Sequence, residues 1–173
     1  MNNNIIRDFP SRLIIKIANL IMLDDEINKM LYYNNINDKD IYSLDDVENP
    51  IGVLKDIKVF MDRRIDKVWK ESDISVFVNL SKDAPYSRNY TKSNKIRTVE
   101  VEIGVICHNN CRKTINGFRD SAVFNRIKMV LCEDESVQGL KGIRWGETTQ
   151  MYNMPQDYMG YSTKILVDYF GKM

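Results

Sequence analysis

The sequence predicts an α+β protein with a mainly antiparallel sheet, and three stretches of periodic hydrophobicity support this prediction. Apolar residues recur at three- and four-residue spacing over 11–33, which is typical of an amphipathic helix. They occupy alternate positions in two runs, 74–80 and 99–107, which is typical of strands with one buried face. The helical spacing returns over 118–132. Runs of antiparallel strands interrupted by a helix define the α+β class.

The length and composition favour one soluble globular domain over 1–173. A net charge of +1 gives the whole chain no bias toward nucleic acid or membranes, so any such bias is local. Lys16 and Asn19 interrupt the apolar stretch near the start, which predicts neither a signal peptide nor a membrane span. Three cysteines fit a reducing compartment better than a disulfide framework.

The first half of the chain begins with a predicted N-terminal helix over 11–33, for which Ser11 is a plausible N-cap. Residues 34–50 are rich in Asn and Asp and predict a connection with at most a short helical turn. Residues 51–73 suit either a strand or a short helix, and both interpretations stay open.

The second half is predicted to contain a β-hairpin over 74–107, whose projecting loop spans 82–97, and a helix over 118–132. In that helix Arg119, Asp120, Arg126 and Lys128 lie mostly away from the apolar stripe. Two closing strands are predicted over 143–170.

The segment CHNNC is the best candidate for a chemical site. Cys107, His108, Cys111 and the later Cys132 are residue types that zinc prefers, but the three-residue gap without a second pair departs from the usual ligand spacing. Cys107 also continues a buried strand row, so packing is the favoured interpretation. Catalysis by Cys107 with His108 is disfavoured because neighbouring residues on a strand point to opposite faces. Cys111 with His108 is geometrically possible in a turn, but a solvated turn histidine is the favoured interpretation.

Nothing else in the sequence favours an enzyme. Clusters of carboxylates occur at 24–26, 45–48 and 133–135, and such clusters are usually solvated faces. Glu100 and Glu102 share a strand face, where an exposed surface or pairing with a neighbouring molecule is favoured over acid–base catalysis. Phosphate-loop, dinucleotide, zinc-protease and nucleophile-elbow motifs do not occur. We therefore predict a protein without catalysis, cofactor or bound metal.

The loop 82–97 is the first of two predicted interaction surfaces. It combines basic and aromatic side chains, namely Tyr86, Arg88, Tyr90, Lys92, Lys95 and Arg97. Tyr and Arg are enriched in protein interfaces, whereas cations and aromatic rings together also suit nucleic acid. A protein interface is favoured, and an idle surface loop or a nucleic-acid-binding loop are the alternatives. Structureless connections of this length usually bind something or are disordered.

Residues 145–161 form the second predicted surface. This segment is richer in aromatic residues and Met than the turns of a small monomer require, and its candidate anchors are Trp145, Tyr152 and Tyr158. The alternative is that these side chains complete the core.

The order of elements resembles the tail-terminator and head-to-tail joining proteins of tailed bacteriophages. The resemblance covers an N-terminal amphipathic helix (SRLIIKIANLIMLDDEINKMLYYN), a hairpin with an overlong loop (ISVFVNLSKDAPYSRNYTKSNKIRTVEVEIGVIC), a helix (FRDSAVFNRIKMVL) and a closing pair of strands ending GYSTKILVDYF. The long connection 34–50 and the segment 51–73 depart from the family's pattern.

The resemblance implies a structural virion protein that forms a homo-oligomeric ring, commonly a hexamer, at the phage neck. Such a ring caps the tail tube and joins it to neighbouring neck, connector and tail-tube proteins, and DNA passes through its lumen. The implied location is the virion, with the host cytoplasm during assembly. The alternative function is a nucleic-acid-binding module that uses loop 82–97.

Overall fold

The fold is a mainly antiparallel sheet with helices packed on one face. A computed structural model of the chain describes residues 9–33, 36, 39–61, 73–84, 96–115, 117–133, 141–151 and 154–170. The helices are α1 (Phe9–Leu23), α2 (Asp25–Tyr32), α3 (Pro50–Leu54) and α4 (Arg119–Glu133). The strands are β1 (Val59–Phe60), β2 (Ile74–Ala84), β3 (Ile96–His108), β4 (Lys113–Thr114), β5 (Gly117–Phe118), β6 (Lys141–Gln150) and β7 (Tyr158–Phe170). This confirms the predicted α+β class.

The main sheet has five strands in the order β1-β2-β3-β7-β6, and β4 pairs separately with β5. Every neighbouring pair in the main sheet is antiparallel except β1 with β2. The predicted hairpin is confirmed, because Ile74 pairs with Cys107 and Ala84 with Thr98. Within the described ranges, none of the helices combines the length and the apolar character that crossing a membrane requires.

The predicted N-terminal helix over 11–33 is wrong in one respect, since the structure breaks it into α1 and α2 at Asp24. Asp24 has extended backbone angles and its carboxylate accepts a hydrogen bond from the amide of Ile27, 3.0 Å away. This is an N-cap, and it starts a new helix. The apolar spacing continues across the break, so periodicity alone did not reveal it.

The predicted loop 82–97 is too long at both ends. β2 continues to Ala84 and β3 begins at Ile96, so residues 82–84, 96 and 97 belong to strands. The apolar alternation of β2 stops at Leu80, and the register with β3 shifts between Leu80 and Lys82, so the period alone did not show that the strand continues. Residues 85–95 lie outside the described residues, and so does most of the stretch 84–95, which we expect to be poorly ordered in an isolated subunit and ordered on assembly.

One core lies between the helices and the sheet, and alternate residues of β2, β3 and β7 form its floor. A smaller apolar cluster covers part of the opposite face, formed by Phe60, Phe77, Ile106 and Tyr158. Phe77 lies across from Gly104 in the ladder, and a β-carbon on Gly104 would lie 2.3 Å from the phenyl ring. The glycine is therefore required for the ring to lie flat on the sheet.

We expect Gly104→Ala to lower the free energy of unfolding by about 1 to 3 kcal/mol, the usual cost of overpacking. The measurement is urea denaturation followed by circular dichroism. The double variant Gly104→Ala/Phe77→Leu should recover part of the loss, because leucine removes the ring that the new methyl group meets. Equal stability of Gly104→Ala and the natural protein would contradict the tight approach.

Candidate interaction surface

The main sheet has an open edge at each end among the residues that the structure describes. On one side, β6 pairs only with β7. On the other side, β1 contacts β2 only at Val76 and Phe77, so the outer edge of β2 over 79–84 has no described partner strand. An unpaired edge presents a row of N–H and C=O groups that can pair with another chain.

The edge at β6 is regular over Thr148, Thr149 and Gln150, which pair with Thr163, Ser162 and Tyr161. Register shifts precede this stretch, between Lys141 and Ile143 and between Trp145 and Thr148. Such irregularities commonly protect edges from pairing, so the regular stretch 148–150 is where a neighbouring strand fits best.

The alternating hydrogen bonds of antiparallel strands show which backbone N–H groups of β6 point away from β7. The amide of Met151 donates to the carbonyl of Gly160 over 2.8 Å, so it points toward β7. Because successive amides alternate in direction, the N–H groups of Gln150 and Thr148 point away from β7. The side chains of residues 148–150 are exposed as well.

Strand directions make the two edges complementary. β2 and β7 run in one direction, and β3 and β6 run in the other, because each neighbouring pair among them is antiparallel. A β2 edge placed beside β6 in the same orientation would therefore continue the antiparallel alternation. The two edges are different surfaces, so their contact is heterologous and repeats from copy to copy.

The residues predicted as interface anchors do not converge on one described surface. Tyr86, Arg88, Tyr90, Lys92, Lys95 and Tyr152 lie outside the described residues, and Arg97 lies in β3. Trp145 is half-buried on β6, packs against the core, and donates its indole N–H to Cys132 Sγ over 3.0 Å. Tyr158 is only 7% exposed and meets His108 edge-to-face at 4.8 Å. The interface role of these residues stays a prediction.

The sheet face opposite the helices also carries a charged group beyond the small apolar cluster. Lys164 on β7 lies 2.9 Å from the Glu100 carboxylate on β3, and the hydroxyl of Ser81 on β2 donates to that carboxylate over 2.8 Å. Glu102 lies directly across from Lys164. This arrangement is a cross-strand ion-pair network, and a lysine beside the two glutamates disfavours their use as an acid–base pair.

Several buried cysteine and charged side chains lie close together where the CHNNC segment approaches α4. Cys107 and Cys111 are both buried, and their sulfurs lie 3.6 Å apart. Packing was the favoured interpretation of Cys107, and the structure places it in the buried strand row as predicted. Cys111 ends a 3₁₀ turn, Asn109–Cys111, in which His108 Nδ1 accepts from the Asn110 amide over 3.1 Å. Among the described residues, no group of three or more His, Cys, Asp or Glu is arranged to hold a metal ion.

Arg119 and Asp120 correct a further prediction, because both are fully buried rather than turned away from the apolar stripe. Arg119 is the first residue of α4, and its guanidinium donates to the carbonyls of Met30 and Tyr33 at the end of α2. Asp120 accepts from Arg112 Nε over 2.9 Å. The spacing of apolar residues along α4 could not predict that these two side chains are buried, because their partners lie on other elements.

The pKa shifts in this cluster follow from its hydrogen bonds and charges. The pKa of Cys111 is lowered to about 7, and the hydrogen bond with the Cys107 thiol is the largest cause. The Arg119 cation and a hydrogen bond with the His108 backbone lower it further, whereas burial opposes the shift. The pKa of Cys107 is raised, first by its hydrogen bond to Cys111 and then by burial. Burial lowers the pKa of Arg119. These opposite shifts make Cys111 the more readily ionised of the two thiols.

In the part of the chain that the structure describes, these features define an α+β subunit with two complementary open strand edges and no constellation that indicates catalysis. A family model named YomW matches residues 24–167, and the chain belongs to the YomW family. This is a phage-associated family, so the protein is phage-associated. Among curated proteins, none matches the chain. The narrower prediction, a tail terminator or neck protein, stays a prediction.

Proposed function

We propose that this protein is a structural virion protein that forms a homo-oligomeric ring at the phage neck, caps the tail tube and joins it to the head connector. The observation that carries the proposal is a pair of complementary edges without a partner strand among the described residues, β6 on one side of the sheet and β2 over 79–84 on the other. A heterologous contact of this kind closes into a ring when the rotation between copies is suitable. The phage-associated family supplies the biological setting.

Ring assembly by edge pairing keeps the helices of every copy on the same side of a continuous sheet. The strand order β2-β3-β7-β6 repeats without breaking its antiparallel alternation, so each added copy satisfies the edge left by the last. The core needs no rearrangement for this, since both edges are already extended strands.

We expect the purified protein to assemble into a ring whose mass is an integral multiple of 20.3 kDa, with six copies as the expected number. The measurements are light scattering coupled to size exclusion, and negative-stain microscopy to show a central opening. Mass spectrometry of purified phage particles should detect the protein in the tail or neck. A strict monomer at every concentration, which also gains no order from tail-tube or connector proteins, would contradict the proposal.

The nucleic-acid alternative is tested in parallel. Duplex DNA binding is measured by fluorescence anisotropy at several salt concentrations, with a variant that changes Arg88, Lys92, Lys95 and Arg97 to Ser. A monomer that binds DNA tightly at low salt, and loses this binding in the variant, would replace ring assembly by the nucleic-acid function. A ring that is unaffected by the variant supports the structural function.

A further inference from the structure

The thiols of Cys107 and Cys111 form an isolated pair at the end of β3. Both side chains are almost inaccessible, at 0% and 4% exposed, and their sulfurs are 3.6 Å apart. Both sulfurs also contact the carbonyl of His108, at 3.5 Å for Cys107 and 3.3 Å for Cys111. The third cysteine, Cys132, is exposed and lies on α4.

Only a small movement of the two sulfurs is needed for Cys107 and Cys111 to form a disulfide bond. A disulfide has a sulfur–sulfur distance of about 2.05 Å, so the sulfurs must approach by about 1.5 Å. Cys107 is fixed in the ladder between Ile74 and Met159. Cys111 ends a short turn whose residues Asn109 and Asn110 are exposed, so the approach can come from the turn and a side-chain rotation.

The charges around the pair favour thiol chemistry over metal binding. Arg119 on α4 and Lys58 before β1 are cations whose fields favour the Cys111 thiolate, and such cations disfavour a metal cation at the sulfurs. Lys58 is itself paired with Asp73, and Asp120 on α4 acts on Cys107. Among the described residues, these are the charged groups that act on the two thiols.

We propose that Cys107 and Cys111 are a redox-active dithiol that a low-molecular-weight disulfide oxidises to an intramolecular disulfide. Local opening of the exposed turn Asn109–Cys111 brings Cys111 to solvent, and its thiolate then attacks one sulfur of the small disulfide, whose sulfur–sulfur bond breaks and releases one small thiol. The Cys107 thiol then loses its proton and attacks Cys111 Sγ, which releases the second small thiol. Two protein thiols thus lose two electrons and two protons, and the small disulfide gains both. This inference does not depend on ring assembly.

Oxidation has a structural consequence because the thiolate faces Arg119. When the disulfide forms, the negative charge on Cys111 disappears, and the buried guanidinium loses one favourable electrostatic interaction. The guanidinium also holds the carbonyls at the end of α2. Oxidation of the pair therefore removes a favourable charge interaction from the side chain that caps the end of α2.

The test uses the folded, full-length protein and oxidised glutathione as the probe. After incubation, free thiols are blocked with iodoacetamide and peptides are analysed by mass spectrometry without reduction. The expected result is a peptide with a Cys107–Cys111 bond, lighter by two hydrogens than the dithiol form. Cys132, which is exposed, serves as an internal control for the oxidant. Glutathione on Cys132 with Cys107 and Cys111 still reduced would overturn the proposal.

Two variants sharpen the test. Cys132→Ser should still form the bond, whereas Cys107→Ser should stop at a stable mixed disulfide on Cys111, because the resolving thiol is absent. In the natural protein, the rate of Cys111 alkylation should rise with pH through about 7, where the thiolate forms, and then level off. A bond that forms equally between Cys132 and either partner, or a rate that does not change across that pH range, would also overturn the proposal.

Discussion

Replacing Arg119 with methionine is expected to lower the free energy of unfolding by about 2 to 4 kcal/mol, because the backbone carbonyls of Met30 and Tyr33 lose their donor. The guanidinium is fully buried, and its Nε and Nη2 atoms lie 2.7 and 2.6 Å from the carbonyl oxygens of Met30 and Tyr33. These carbonyls belong to the C-terminal end of α2, where intrahelical donors run out. Methionine fills a similar volume, so the loss of stability measures the missing hydrogen bonds and charge and includes little contribution from a cavity.

The matched control for this prediction is Arg126→Met on the same helix. Arg126 is partly exposed and pairs with Asp24 at 2.9 Å, so its loss should cost about 1 kcal/mol or less. Arg119→Lys should fall between the natural protein and Arg119→Met, since one ammonium can reach fewer carbonyls than the guanidinium fork. Urea denaturation measures all three. Equal effects at positions 119 and 126 would contradict the capping role of Arg119.

The sequence could predict the elements whose residues repeat with a fixed period. The strands β2, β3 and β7 and the helix α4 were all predictable because one face of each packs against the same core. The break at Asp24 was not, because a cap depends on one side chain and leaves the apolar spacing unchanged. The β4–β5 hairpin was also missed, since two-residue strands are too short to show alternation.

The candidate sites were less predictable, because they depend on contacts between distant parts of the chain. The spacing of CHNNC does not indicate how the turn brings Cys111 within 3.6 Å of Cys107. Arg119 meets its carbonyl partners across more than eighty residues, and a charged residue at a helix start is ordinarily exposed. The open edges depend on strand order, which local patterns do not determine. Side-chain periodicity locates the core, whereas these sites require the topology.

Thr148→Pro is expected to abolish ring assembly while leaving the subunit folded. The Thr148 amide points away from β7, so proline there removes an outward donor and places a bulky ring where a neighbouring strand would lie. The ladder with β7 is retained, because proline is tolerated on edge strands beside irregularities. We expect each contact to weaken by about 3 kcal/mol, roughly a hundredfold, and light scattering should then show the 20.3-kDa monomer.

The matched control is Thr148→Val, which keeps the backbone amide and the branched shape of the side chain. It removes only the hydroxyl, which accepts a hydrogen bond from Lys128 Nζ over 2.9 Å, so rings should form as in the natural protein. Circular dichroism of both variants should match that of the natural protein, which separates lost assembly from lost folding. Rings formed by Thr148→Pro at the natural concentration would show that copies meet through another surface, because a strand cannot pair with a blocked edge.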